Sequence, residues 1–120
     1  MSQLNQNQLD KYMLKKLQSS VSEPFGPDCY VYKVFDKMFA LFGTKKDEIW
    51  LNLKIDPDDS ICLQSEFECI IPGYHMNKKH WITIIICDEI SKETVLELID
   101  DSYDLIVSKL PKKKKNQLLT

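Results

Sequence analysis

The chain has 120 residues, 43% apolar and 28% charged, which is the composition of one globular domain with a core of its own. No apolar run approaches the ~20 residues that cross a bilayer, so a membrane-spanning helix is not expected. The net charge of −2 excludes a strongly basic chain, yet its signs are segregated: residues 88–104 hold seven acids and one base, and residues 109–115 hold five lysines and no acid.

The opening ten residues are polar and rich in Asn and Gln. They lack the apolar core of a signal peptide, so a cytoplasmic location is expected. Asn7 is a candidate cap, and Leu9, Met13, Leu17 and Val21 recur at every fourth position. That spacing predicts a first helix over about residues 8–20, with Lys11, Lys15 and Lys16 on its solvated side. Residues 22–28 hold Pro24, Gly26 and Pro27 and read as a loop, in which Phe25 is the candidate anchor to the core. Residues 29–35, 38–42 and 48–54 are β-branched and aromatic and read as three strands. Their connections are short, so neighbours should be antiparallel.

Asp56 followed by Pro57 predicts the start of a short second helix. Residues 68–71 read as a brief edge strand that Pro72 and Gly73 end, and residues 81–87 as the clearest strand of the chain. Ser91 is a cap for a last helix whose apolar stripe is Val95, Leu98, Ile99, Tyr103, Ile106 and Leu110, with Pro111 as the stop. The expected fold is α+β: an antiparallel sheet with helices packed on one face, in the order helix, three strands, helix, one or two strands, helix. Residues 1–111 form a single domain in this reading, and residues 112–120 a mobile lysine-rich tail.

Four cysteines (Cys29, Cys62, Cys69 and Cys87) contain no C-x-x-C pair and read as reduced thiols. The most distinctive stretch is residues 72–81, with both histidines, His75 and His80, beside Tyr74, Asn77, Lys78, Lys79 and Trp81. Aromatics beside cations and amide donors suit nucleic-acid backbone or another anion; the plainer reading is that the aromatics pack and the lysines are solvated. Lys33, Lys37 and Lys54, with Trp50 and Asn52, form a second candidate surface if they share a sheet face. The five-residue spacing of His75 and His80 matches no standard zinc pattern, so no metal site is assigned. A Gly-rich phosphate loop and a nucleophile elbow are both lacking, so no catalytic residue, no cofactor and no enzyme activity are expected.

Four blocks together resemble the MmcQ/YjbR family of small bacterial proteins. They are Phe25-Gly26-Pro27 leading into Val31-Tyr32-Lys33-Val34 and Lys37-Met38-Phe39-Ala40-Leu41; Leu51-Asn52-Leu53-Lys54 with Asp56-Pro57; residues 72–81; and Ser102-Tyr103 running to Lys109-Leu110-Pro111-Lys112. The resemblance implies a frataxin-like (CyaY-like) fold and a proposed DNA-binding role through wing-like hairpins. Two departures stand out: Phe35-Asp36 occupies a hairpin turn where the family usually has glycine, and Lys79 a position where it often has Arg. Without Arg, bidentate guanine readout is lost, so DNA binding should be weakly specific and salt-dependent.

The expected function is therefore a small binding protein for nucleic acid, acting through Lys33, Lys37, Asn52, Lys54, His75, Asn77, Lys78, Lys79 and His80. The alternative is a module that binds a protein or small ligand without touching nucleic acid. A monomer is expected.

Overall fold

The computed structural model describes residues 4–26, 28–74 and 76–118. Helix α1 (Gln6–Leu14) is set by a capping box two residues earlier than expected: Asn5 Oδ1 accepts the Gln8 N–H at 2.8 Å, and Gln8 Oε1 accepts the Asn5 N–H at 3.0 Å. It ends at Leu14 and not near residue 20, because Gln18 turns the chain at φ 59° and Ser19–Ser22 leave as a strand, β1. Leu9 and Met13 are buried, but Leu17 and Val21 of the expected stripe are 62% and 39% exposed.

Strands β2 (Cys29–Val34), β3 (Lys37–Lys45) and β4 (Glu48–Lys54) form the expected meander. Helix α2 (Pro57–Glu66) starts where Asp56 accepts the Asp58 N–H at 2.9 Å, with Pro57 in its first turn. Strand β5 (Ile70–Pro72), strand β6 (Trp81–Ile85) and helix α3 (Lys92–Ser108), capped by Ser91, complete the expected elements. Two further elements were not foreseen. β1 has little apolar alternation of its own and is held by its register with β2, from Ser19↔Val34 to Ser22↔Val31. The lysine run forms a short helix, α4 (Lys112–Leu118), with Leu118 against the core and Lys114 Nζ 3.4 Å from Asp36 and 5.4 Å from the Phe35 ring centroid. Phe35 itself takes φ 55°, the left-handed conformation that glycine adopts without strain.

The six strands make one antiparallel sheet in the order β1-β2-β3-β4-β6-β5. Register places Ala40, Phe42, Leu51, Leu53, Ile82 and Ile84 on one face, each no more than 1% exposed. Helix α3 crosses that face. Ser102 Oγ donates to the Phe39 carbonyl at 2.6 Å and accepts the Lys54 N–H at 2.9 Å, so one hydroxyl joins α3 to two strands. Helix α1 lies beside it: Tyr12 donates to Asp100 at 2.8 Å, Lys16 pairs with the same carboxylate, and Tyr32 reaches Asp10 at 2.6 Å. Leu63 of α2 and Leu98 of α3 line a common cavity with Leu53 and Ile82, so α2 covers the same side. The opposite face carries none of α1, α2 or α3.

Candidate functional site

Alternation along the strands decides what this helix-free face presents. Cys29, Gly43, Trp50 and Ile85 form one row across it, and Val31, Leu41, Asn52, Thr83 and Ile71 the next. Lys33 with Met38, and Lys54 with Trp81, lie at the hairpin end. Two loops rise over the face. One holds Phe25, which does not anchor to the core as expected but is 74% exposed. The other is the β5–β6 connection, which folds back so that Tyr74 meets Trp50 edge-on at 5.2 Å between centroids.

Between the loops lies a groove of about 520 Å³, with Met38, Leu41, Gly43 and Asn52 beneath and Phe25, Trp50, Tyr74, Met76 and Lys45 around it. Gly73 allows the β5–β6 loop to lie this close: its N–H donates to the Trp81 carbonyl at 2.9 Å, and a Cβ there would sit 2.8 Å from Trp81 Cβ. A hydrogen-bond chain then fixes the loop to the sheet. The Tyr74 N–H donates to Thr83 Oγ1 at 2.8 Å, Thr83 donates to Asn52 Oδ1 at 2.5 Å, and Asn52 Nδ2 donates to the Leu41 carbonyl at 3.3 Å. Lys45 Nζ stands 4.4 Å and 4.8 Å from the Tyr74 and Trp50 ring centroids and donates to the Tyr74 hydroxyl at 3.1 Å. The Trp50 indole N–H is buried and has no partner among the described residues.

Of the nine residues singled out from the sequence, the eight that are described do not converge as one cationic surface. Asn52 is on the expected face but only 5% exposed, and its amide is engaged in the sheet instead of facing solvent. Asn77 Oδ1 accepts the Lys79 and His80 N–H groups, the role of a turn residue. Lys78 Nζ is held by the Gly73 carbonyl at 3.0 Å. Lys33 is half-buried on β2, Lys37 is exposed where β3 begins, and Lys79 is exposed in the loop. Lys54 lies 5.6 Å from the Trp81 ring centroid, and burial with the nearby Lys109 charge lowers its pKa. His80 is half-buried and its carbonyl accepts the Ile55 N–H; His75 lies outside the described residues.

Sequence reasoning missed Lys45, Met38, Leu41 and the groove position of Phe25. The structural cause is the β3–β4 turn, whose Lys46-Asp47 pair is not one of the usual type I′ turn sequences. Lys46 and Asp47 both take positive φ, 53° and 65°, which makes a two-residue type I′ hairpin turn. That turn fixes Lys45↔Glu48 and Gly43↔Trp50, and so sets Lys45 diagonally next to Trp50 on one face. The acids of α3 behave separately. Asp101 is raised by burial and by Asp104, Asp100, Glu97 and Asp59, the mark of carboxylates crowded on the helix-covered side. Among the described residues, Cys69, Cys87 and Glu89 form the one group whose ligand atoms approach closely enough to share a metal ion.

The architecture is thus an α+β domain with a six-stranded antiparallel sheet and a groove on its helix-free face. The YjbR family model matches residues 14–105, and the chain belongs to that family. It is 41% identical over 95 residues to the uncharacterized protein YbdF of Escherichia coli O157:H7, covering 79% of this chain and 78% of that one. Against the uncharacterized YjbR of Escherichia coli K12 the identity is 29%, over 72% of this chain and 74% of the relative. The crystal structure of Deinococcus radiodurans DR2400, a DUF419 protein, superposes with a TM-score of 0.85 at 33% identity, covering 93% of this chain and 86% of that one. A Pseudomonas syringae protein gives 0.74 at 30%, covering 85% and 98%.

Proposed function

We propose that this YjbR-family chain is a binding protein, not an enzyme, and that its ligand enters the groove on the helix-free sheet face with a flat apolar or aromatic group. The observation that carries this reading is the aromatic wall of the groove, Trp50 against Tyr74 with Phe25 opposite. An apolar cleft with a few fixed polar groups is the usual form of a small-ligand site. The unpartnered Trp50 N–H favours a ligand that also brings a hydrogen-bond acceptor. The frataxin-like arrangement belongs to the same proposal; helices gathered on one face of a single antiparallel sheet support it.

A library of flat aromatic fragments bearing an acceptor, screened by the indole N–H resonances of Trp50 and Trp81, tests the proposal. Binding should move the Trp50 resonance, leave Trp81 nearly still, and weaken at least ~10-fold in Phe25→Ala and Tyr74→Ala. If no fragment moves Trp50 selectively, the groove is not a ligand site.

Nucleic acid is the second reading. It is favoured by Lys33, Lys45 and Lys54, which strand alternation puts on the same side of the sheet as the exposed aromatics. Unpaired bases could stack on Phe25 and Tyr74 while lysines follow the phosphates. Fluorescence anisotropy with labelled single-stranded and duplex DNA at about 50 mM salt decides it. Binding that is lost in Tyr74→Ala and in a Lys33→Gln, Lys54→Gln pair supports this reading; no anisotropy change removes it.

A further inference from the structure

A second constellation lies away from the groove, where β5 and β6 run out. Cys69 precedes β5 and its carbonyl accepts the Ile85 N–H at 2.8 Å, which sets Cys87, two residues past Ile85, diagonally across from it. Glu89 then turns back. Its two carboxylate oxygens accept the Glu68 and Cys69 N–H groups at 2.9 and 3.0 Å, which holds the carboxylate beside the Cys69 thiol. The two sulfurs and a carboxylate oxygen all lie within 4.8 Å of one another.

We propose that Cys69, Cys87 and Glu89 form a binding site for a thiophilic divalent cation, zinc foremost, with a fourth position left to water. Two sulfurs and one carboxylate are the ligand set that selects zinc over calcium or magnesium, and three protein ligands with an open position make a four-coordinate centre. Burial runs in the right order: Cys69 is buried, Cys87 half-buried and Glu89 exposed, so the site is anchored on its protein side and open on the other. Cys87 also lines a separate cavity of about 400 Å³ with Asn5, Asp47 and Glu48.

Within the trio, Cys69 is the thiol that resists ionisation. Cys69 is pushed up to about 12 by burial first, then by its contacts with Cys87 and Glu89. Glu89 is lowered, chiefly by the Glu68 N–H, so it is already the anion a metal needs. A bound dication takes the place of one proton on each thiol, the two protons pass to solvent, and no redox change occurs. The purely structural role of Glu89, closing the start of β5, survives metal binding, because its two N–H bonds leave further lone pairs on the carboxylate.

The test is titration of the full reduced chain, held in a non-thiol reductant, with Cd²⁺ followed by ultraviolet charge transfer and with Zn²⁺ followed by calorimetry. One equivalent of Cd²⁺ should saturate a thiolate-to-metal band, and Zn²⁺ should compete it away. Cys69→Ser and Cys87→Ser should each weaken Zn²⁺ by more than ~10-fold, while Cys62→Ser and His80→Ala change it little. Glu89→Gln should weaken it less than either serine variant. A folded wild-type chain with no band overturns the proposal, and so does a band that persists unchanged in both serine variants. The wild-type arm stands alone, so a variant that fails to fold does not shelter the idea.

Discussion

Thr83 donates its hydroxyl proton to Asn52 Oδ1 at 2.5 Å in the middle of the sheet, where the two residues are 0% and 5% exposed. Because Thr83 also accepts the Tyr74 N–H, this pair is the hinge between the core of the domain and the wall of its groove. Thr83→Val keeps the shape and removes the oxygen. It should cost roughly 2 kcal/mol, since the Tyr74 N–H and the Asn52 carbonyl oxygen both lose a partner. Urea unfolding measures the loss, and a cycle with Asn52→Leu should show strong non-additivity. Additive effects within ~0.3 kcal/mol would mean that the two side chains do not work as a pair.

That pair also shows where the sequence stops being informative. The strands β4 and β6 were readable, and so were the caps Asp56 and Ser91, because each is decided by neighbours in the chain. Asn52 opposite Thr83 depends on the register between strands separated by α2 and β5, which local patterning does not encode. β1 had to borrow its order from β2, and α4 took shape against Phe35 and Asp36 from the far end of the chain. Asn52, Asn77 and Lys78 looked like surface ligands because polar residues in a lysine-rich context normally are. Asn52 and Lys78 instead donate to carbonyls that folding brings near, those of Leu41 and Gly73, whereas Asn77 bonds the N–H groups two and three residues on, the local turn role open to any asparagine.

Gly73 should tolerate no side chain. Its Cβ would meet Trp81 Cβ at 2.8 Å and Met76 Cβ at 3.0 Å, and neither atom is the free end of a flexible group. Gly73→Ala should therefore lift the β5–β6 loop, costing about 1–3 kcal/mol. Gly26→Ala would act differently, because nothing lies within 4 Å of a built Cβ there but φ 104° strains any side chain. Thermal melts with the Trp50 indole chemical shift report both effects. An unshifted Trp50 resonance in Gly73→Ala would contradict the close-approach argument.

Asp101 should be a position where losing a charge helps. Burial and then Asp104, Asp100, Glu97 and Asp59 raise its pKa, so its ionised form opposes folding. Asp101→Asn should raise the melting midpoint at pH 7. The gain should shrink as pH falls toward the carboxylate range, where the native side chain takes up a proton and ceases to repel. It should also fade with added salt, since Asp101 is exposed. A variant less stable than the parent at pH 7 would show that Asp101 makes a favourable contact outweighing the repulsion.

Alkali should loosen the fold through the residues that join α1 to its neighbours. Tyr12, beside Asp100, is raised from 10.0 to about 12, first by burial and then by its hydrogen bond to that carboxylate and the carboxylate's charge. Tyr32, buried and donating to Asp10, is raised further by the same causes. Both groups hold their protons more tightly in the folded chain than in the unfolded one. The stability they contribute is complete below the unfolded tyrosine value of about 10 and is lost as pH climbs from there through the folded values. The urea midpoint should thus fall between about pH 10 and pH 12 with a slope set by tyrosine ionisation. Tyr12→Phe lacks one of the protons released on unfolding, so its midpoint should fall less steeply over that interval while starting lower at neutral pH for want of the Asp100 bond. Parallel slopes in parent and variant would show that Tyr12 is no more reluctant to ionise in the fold than in the open chain, and that its bond to Asp100 is too weak to tie α1 to α3.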